Sequence, residues 1–359
     1  MGKLSGITVI DLSLFLPGPM MTRFMADEGA RVIKVEPPAG DPARSLAPFV
    51  GGHSVWFANC NRGKESRTLD LKTGQGKDAL WSLLAQADVF VEGFRPGAMQ
   101  RLGFGAQAVR AAHPSLIYCS ISAFGQDGSM ADHPAHDMAV QALTGHLSMN
   151  DAKDGTPVVP GVPSADMAAS LTALSAVTMA LFDRERSGRG ATVDCAMFDS
   201  LLPWLSHIAE DALIGGDAPS SRKQRSTGGA ALYQVYATAD GQHICLAGRE
   251  PKFAHLLLTE LGREDLLPVA QAPAGEQDEL IGALAAIFAG KSRAEWEEWF
   301  AGKDIAFAPV LNLAEALRQP LIAERGLLTT GADGIPHIAS PIRFDGEAPP
   351  PGAVPEQGS

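Results

Sequence analysis

The sequence predicts an α/β protein in which a large domain with a Rossmann-like parallel sheet is followed by a smaller α+β domain. Three observations point there. The first 125 residues alternate apolar strand-like runs with helical stretches, the pattern of a parallel sheet covered by helices. A stretch rich in Gly, Ser and charge at 206–228 reads as a linker. Beyond it come a hairpin signal and then helices, a different texture. The expected domains are 1–205 and 229–318.

The elements follow in order. Residues 7–12 form an apolar run around Asp11, the first strand. Pro17-Gly18-Pro19 turns the chain, Pro19 opens a helix, and Gly29 closes it. Residues 31–36 are the second strand. Helices are expected over 77–87 and 106–112, and strands over 89–92 and 116–122. A long helix runs over 165–186. Ser164 is its expected N-cap, and Leu171, Leu174, Val177 and Leu181 share one face. Gly188 and Gly190 end it before a strand at 191–197. In the smaller domain, strands at 232–238 and 243–247 meet at Asp240-Gly241. Helices follow over 251–261 and 278–289, and a third is opened by Ser292 with Glu295 as a capping box. Pro349, Pro350, Pro351 and Pro355 mark an extended tail.

Composition narrows the function. Of 359 residues, 45% are hydrophobic and 19% charged, which is globular rather than disordered. A formal charge of -12 opposes binding to a phosphate backbone, so no nucleic-acid partner is expected. An anionic ligand needs a local cluster of Arg and Lys. Cys60, Cys119, Cys195 and Cys245 form no CxxC pair, and Cys119 and Cys195, inside apolar runs, read as small buried hydrophobes in a reducing compartment. No leader is expected, and the apolar stretches read as too short and interrupted to span a bilayer. These expectations describe a cytoplasmic protein without a membrane partner or a metal.

Nicotinamide and nucleotide chemistry lack their fingerprints. The loop after the first strand reads Ser13-Leu14-Phe15-Leu16-Pro17-Gly18-Pro19, without GxGxxG, and no GxxxxGK[ST] or HExxH occurs. Other residues carry two readings each. Arg44, Arg62, Lys64, Lys72, Arg95 and Arg101 are either scattered surface charges or partners for a ligand's phosphates at the strand ends. His136, followed by Asp137, is structural or catalytic. Asp166 in the first turn of the long helix either answers the helix dipole or displays a reactive carboxylate beside a Gly/Pro-rich loop. The dipole is expected to lower its pKa. Glu250 either starts a helix or serves a site.

Taken together these segments resemble the class III CoA-transferases and α-methylacyl-CoA racemases, which share one fold. The resemblance is carried by Val9-Ile10-Asp11-Leu12-Ser13 with Pro17-Gly18-Pro19, by 26–36, by Gly40-Asp41-Pro42-Ala43-Arg44 and by Asn61-Arg62-Gly63-Lys64. Leu69-Asp70-Leu71-Lys72, Glu92-Gly93-Phe94-Arg95-Pro96-Gly97, Arg101-Leu102-Gly103 and Glu324-Arg325-Gly326 extend it along the chain. The resemblance implies an intertwined, ring-like homodimer. In it the C-terminal segment 319–359 returns to the large domain. It implies an acyl-CoA substrate, with coenzyme A as part of that substrate and no prosthetic group. By motif, Arg44, Leu69, Lys72, Gly93, Phe94 and Arg101 match CoA contacts.

Asp166 matches the family's central carboxylate. In the transferases it attacks the thioester; in the racemases it is one of two acid/base groups, with a histidine and a supporting glutamate. His136-Asp137 and Glu250-Pro251-Lys252-Phe253 match those motifs, and in the transferases the position of His136 is commonly tyrosine. The implied activity is racemisation or epimerisation of a 2-methylacyl-CoA by 1,1-proton transfer through an enolate, with His136, Asp166 and Glu250 catalytic. The alternative is CoA transfer to a free carboxylic acid through an aspartyl-CoA intermediate, and Gln141-Ala142 looks more like the transferase version. Phe15, Met20, Met21 and Trp56 are candidates either for an apolar acyl pocket or for core packing.

Overall fold

The computed structural model describes residues 2–152, 154–331 and 333–359. The chain forms two compact units. The larger holds Met1–Thr144, Pro160–Trp204 and Gln319–Ser359, and the smaller holds Gly145–Val159 and Leu205–Arg318.

In the larger unit the chain runs β1 (Thr8–Asp11), α1 (Pro17–Asp27), β2 (Arg31–Glu36), and a short hairpin of β3 (Phe49–Val50) and β4 (His53–Ser54). It continues α2 (Val55–Asn61), β5 (Glu65–Thr68), α3 (Gly74–Leu84), β6 (Val89–Glu92), α4 (Ala98–Leu102), α5 (Ala106–Ala112) and β7 (Ile117–Ser122). Then come α6 (Asp137–Leu143), α7 (Ser164–Ser187), β8 (Thr192–Ala196) and α8 (Met197–Leu201). Six strands make one parallel sheet in the order β5-β2-β1-β6-β7-β8. The central strands are apolar along nearly their whole length because helices cover both faces. The chain builds outward from β1 in one direction, then from β6 in the other. Their shared border is the topological switch point, where such sheets bind ligands beyond the strands' carboxyl ends.

The edge strand β5 escapes the sequence pattern. It reads Glu65-Ser66-Arg67-Thr68, polar because edge strands carry charge that discourages further pairing. Arg31 on β2 holds Glu65 through two hydrogen bonds of 2.7 and 3.0 Å.

Helix α7 corrects three expectations. Ser164 is its first residue rather than its cap. The cap is Pro163, and no side chain of its own caps it. The buried face is a row of small residues, Ala165, Ala169 and Ala173, continued by Val177 and Leu181, which lets α1 pack close. Leu171, by contrast, is 43% exposed. The helix is also long and apolar enough to cross a membrane by length and composition alone, against the expectation that no stretch would be. Its alanine row is sealed into the core of this unit. Gly188, at φ 66°, ends it as expected.

The smaller unit contains α9 (Glu210–Leu213), β9 (Tyr233–Ala237), β10 (His243–Ala247), α10 (Pro251–Glu260), α11 (Leu267–Ala270), α12 (Asp278–Phe288), α13 (Arg293–Phe300), β11 (Phe307–Pro309) and α14 (Leu313–Ala316). β9, β10 and β11 form an antiparallel sheet, with Gly241 at φ 73° in the expected turn. The Ser292–Glu295 capping box opens α13. An aromatic cluster of Phe288, Trp296, Phe300 and Phe307 fills the core. Finally α15 (Pro320–Glu324), β12 (Leu328–Thr330) and β13 (Pro336–Ile338) belong to the larger unit. The proline-rich tail packs there too, and a Cβ on Gly352 would meet the Gly63 Cα at 2.4 Å.

Buried ion pairs tie these layers. Lys64 binds Asp11 at 3.1 Å and Lys34 binds Asp41 at 2.8 Å, all four side chains wholly buried. Arg62 and Arg23 both bind Asp27, at 3.0 and 2.6 Å. Breaking such a pair from one side leaves an uncompensated buried charge. Asp11→Ala should therefore lower the unfolding free energy by about 3–5 kcal/mol in chemical denaturation. A loss below about 1 kcal/mol, the range of an exposed pair, would mean that Asp11 holds nothing together.

Candidate active site

The switch point carries a cavity of about 480 Å³, whose lining includes Ser13, Phe15, Gly93, Phe94, His136 and Asp166. Its floor is the loop after β1. Asp11 at the end of that strand accepts hydrogen bonds from the Ser13 N–H at 2.9 Å and from the Ser13 and Thr22 hydroxyls. Lys34 Nζ donates to the Ser13 carbonyl at 2.9 Å. The loop is thus fixed from both of its polar ends. Gly18 is required there, since a Cβ would fall 2.1 Å from Ser13 Oγ. Phe15 is held at φ 62°, in the left-handed region that a phenylalanine rarely enters, and lies in the cavity wall. Burial alone would raise the Asp11 carboxyl, but the Lys64 and Lys34 ammonium groups and the two hydroxyls outweigh it and hold it at about 2.

Asp166 enters from α7. The Asp137 carboxylate of α6 accepts the N–H groups of Ala165 at 2.7 Å and Asp166 at 3.1 Å, and also binds the Gln141 side-chain amide. It therefore caps α7 from a neighbouring helix and does not pair with His136. Among the described residues no hydrogen bond reaches the Asp166 carboxylate. Burial, aided by the negative Asp137, pushes its pKa up to about 7. This reverses the lowering expected from the helix dipole. The N–H groups that would have stabilised a charge at Asp166 are already spent on Asp137.

His136 is the N-cap residue of α6, exposed, and meets Phe15 edge-on with ring centroids 6.4 Å apart. It and Asp166 line the same cavity. Glu250 is not part of that lining. It is the N-cap residue of α10 in the smaller unit, and its side chain makes no capping bond.

The motif-matched contacts divide. Leu69, Lys72 and Phe94 line a second hollow of about 190 Å³ with Pro37, Pro38 and Leu102. Leu14 and Phe94 are common to both hollows, so one groove crosses the carboxyl ends of β2, β5, β1 and β6. Gly93 lies in the first hollow, and Arg101 lies outside the lining of both, in the last turn of α4. Arg44 is committed elsewhere. It grips Glu36 through two bonds of 2.7 Å and stacks on Phe57 at 3.9 Å. Arg62 and Lys64 are buried and paired with Asp27 and Asp11, so they offer nothing to a ligand. Of the apolar candidates Phe15 faces the cavity and Met21 is core, while Met20 and Trp56 are outside the lining. Arg95, one of the basic candidates, also lines the cavity, and so does His133, which no motif marked. Among the described residues no group of three or more His, Cys, Asp or Glu could hold a metal.

An acid ionising near 7 when folded and near about 4 when unfolded costs nothing below about pH 4. As pH rises through that window the unfolded chain releases its proton first, so the folded state loses stability, and the loss levels off above about pH 7. Asp166→Asn removes this pH dependence. The variant's gain in melting temperature over the parent should be larger at about pH 8 than at about pH 4. The same difference at both values would discard the burial argument.

Comparison with known proteins agrees with this architecture. Residues 4–359 match the model of CoA-transferase family III. The chain is 34% identical to the acetyl-CoA:oxalate CoA-transferase of Acetobacter aceti, over 100% of this chain and 94% of that protein. It is also 34% identical to the α-methylacyl-CoA racemase of Homo sapiens, over 92% of this chain and 84% of that protein. The crystal structure of a CAIB/BAIF family protein from Brucella suis superposes with a TM-score of 0.86 at 29% identity, covering 99% and 97% of the two chains. With the sheet order, the switch-point groove and this full-length match in agreement, the chain belongs to CoA-transferase family III.

Proposed function

We propose that this protein acts on acyl-CoA thioesters and transfers CoA to a free carboxylic acid, with Asp166 as nucleophile. One observation carries the reading: a carboxylate that accepts no hydrogen bond among the described residues stands in a cavity at the sheet's switch point. The match to the oxalate CoA-transferase supports it by running the whole chain, where the racemase match spans 92%. Curated relatives acting as CoA-transferases also include the succinyl-CoA:glutarate enzyme of Mus musculus.

The steps balance as acyl transfers. The Asp166 carboxylate attacks the thioester carbonyl, the C–S bond breaks, and CoA thiolate leaves an acyl-aspartyl anhydride. The thiolate then attacks the aspartyl carbonyl, releasing the first acid and forming aspartyl-CoA. The acceptor carboxylate attacks that thioester, expels the thiolate and makes a new anhydride. Thiolate attack on the acceptor's acyl carbonyl yields the new acyl-CoA and restores Asp166. Lys72 and Arg101 are the proposed partners of the CoA phosphates, and Leu69, Gly93 and Phe94 the wall along which CoA lies. Arg44, locked to Glu36, shapes that wall. CoA is substrate throughout.

One observation favours a second reading. His136 lines the same cavity as Asp166, which is what a two-base racemase needs. We further propose that the protein is an intertwined, ring-like homodimer of the cytoplasm. The domain division is 1–205, 229–318 and a returning 319–359. The exposed Leu171, Met179 and Phe182 of α7 support a partner surface, and the free cysteines fit a reducing compartment.

Incubation with an acyl-CoA, an acceptor acid and hydroxylamine should trap Asp166 as its hydroxamate, and Asp166→Ala should abolish CoA transfer. Transfer should rise with pH up to about 7 and then level, because the attacking form is the carboxylate. His136→Ala should keep transfer within about tenfold. Solvent deuterium entering the α-position of a 2-methylacyl-CoA with no acceptor present, lost in His136→Ala, would instead establish racemisation. Light scattering should give twice the chain mass; a monomer would end the dimer proposal.

A further inference from the structure

The smaller unit has a cavity of its own, about 650 Å³, walled by the start of α10, by α11 and by the loop that follows it. That volume is within the roughly 300–1,000 Å³ range of small-molecule sites. Neither Asp166 nor His136 lines it. Arg225, Arg249 and His255 project from its wall, and no Asp or Glu is among its lining residues. Elsewhere in the chain Arg23, Arg31, Arg44, Arg62, Arg184 and Arg293 each hold a carboxylate. Arg225 and Arg249 hold none among the described residues, in a chain of formal charge -12. Arg249 has only the Tyr233 ring, 5.9 Å from its guanidinium carbon. Two guanidinium groups and an imidazole around one concavity, left without acids by so acidic a chain, form an anion receptor.

The rest of the wall describes the remainder of the ligand. Leu232 and Ala254 are buried apolar surface, and Leu267 adds to it. The floor is rigid, because the buried Gln277 amide accepts the Ala231 N–H at 2.9 Å and donates to the Ala272 carbonyl at 2.7 Å. A bare inorganic anion would leave that apolar surface wet. We infer that this cavity binds a small organic anion: a carboxylate or phosphate head between Arg225 and Arg249, with His255 as a further donor, and a short aliphatic body on Leu232 and Ala254.

Calorimetric titration of the full-length protein at low salt tests this with three probes: hexanoate, hexyl phosphate and inorganic phosphate. At least one of the two amphiphiles should bind saturably, at least about tenfold more tightly than inorganic phosphate. Tighter hexanoate identifies a carboxylate ligand, tighter hexyl phosphate a phosphate ester. Arg249→Ala and Arg225→Gln should each weaken that binding by about tenfold or more, and Arg249→Lys should recover part of it. Thermal melts report whether each variant folds. Asp166→Ala should leave the affinity unchanged, which separates this cavity from any occupancy of the proposed active site and from failure of the transferase reading. No saturable binding, equal affinity for inorganic phosphate, or unchanged affinity in both arginine variants would overturn the assignment.

Discussion

The Asp137 carboxylate takes the N–H groups of Ala165 and Asp166 at the open end of the 24-residue α7. Most of the chemistry assigned to this chain follows from that contact. A helix N-terminus ordinarily stabilises negative charge through its free N–H groups and dipole. Here a neighbouring helix consumes the donors and adds a charge of its own. Asp166 is left in the first turn with burial and a like charge around it, and it ionises near 7 instead of near 4. Such a carboxylate is more basic than a surface aspartate and so a better nucleophile or proton acceptor, while a large fraction remains ionised at neutral pH. Gln141 holds Asp137 in place, so α6 and α7 set the reactive group as one block.

A second constraint brings the facing wall to that block. Parallel strands end in loops, and a loop can present a site only if its backbone is pinned. Asp11 and Lys34 pin the loop after β1 by its Ser13 N–H and carbonyl, and Lys64 neutralises Asp11 from the far side. Lys64 is itself pulled down to about 8, since burial outweighs the favourable field of Asp11. These buried charges stand at the carboxyl ends of β1 and β2, where a purely apolar core would pack as well but would leave the loop's polar groups without partners. The left-handed Phe15 is held by that pinned loop.

Local patterns were readable where the physics is local. Gly29 follows the end of α1 as expected, though the helix opens at Pro17 and not at Pro19; Ser292 with Glu295 opens α13, Asp240-Gly241 turns β9 into β10, and the apolar strands stand where alternation with helices put them. The misses depend on contacts distant in sequence. β5 is polar because it is an edge, and nothing in Glu65–Thr68 says which strand will be last. Arg62 and Lys64 read either as surface charges or as phosphate partners, and are neither once Asp27 and Asp11 are seen 35 and 53 residues away. The Asp166 pKa was read from its own helix, but burial raises it, helped by a carboxylate 29 positions earlier that also takes the helix's N–H groups. Leu69, Lys72, Gly93 and Phe94, grouped by motif, lie along one groove, whereas Arg44, matched by motif as well, spends its guanidinium on Glu36.

The two reactions proposed for this cavity differ less than their names suggest. Both begin with the same ionised carboxylate beside a thioester, and the two target atoms, the carbonyl carbon and its α-carbon, are only about 1.5 Å apart. Attack on the first needs an open approach to the carbonyl and an acceptor acid to complete the cycle. Proton removal from the second needs another acid on the opposite face, since inversion cannot be completed from one side. A small sideways shift of the acyl group would therefore exchange one chemistry for the other. The Phe15 wall and the side chain at position 136 are placed to set that shift, because both border the space over Asp166 and they contact each other. An imidazole there can return a proton; it can equally act as a hydrogen-bond donor that leaves transfer intact. The outcome is thus decided by where the thioester is held, and the groove over β2, β5 and β6 that would hold the CoA end is as much a determinant of reaction type as the catalytic side chains.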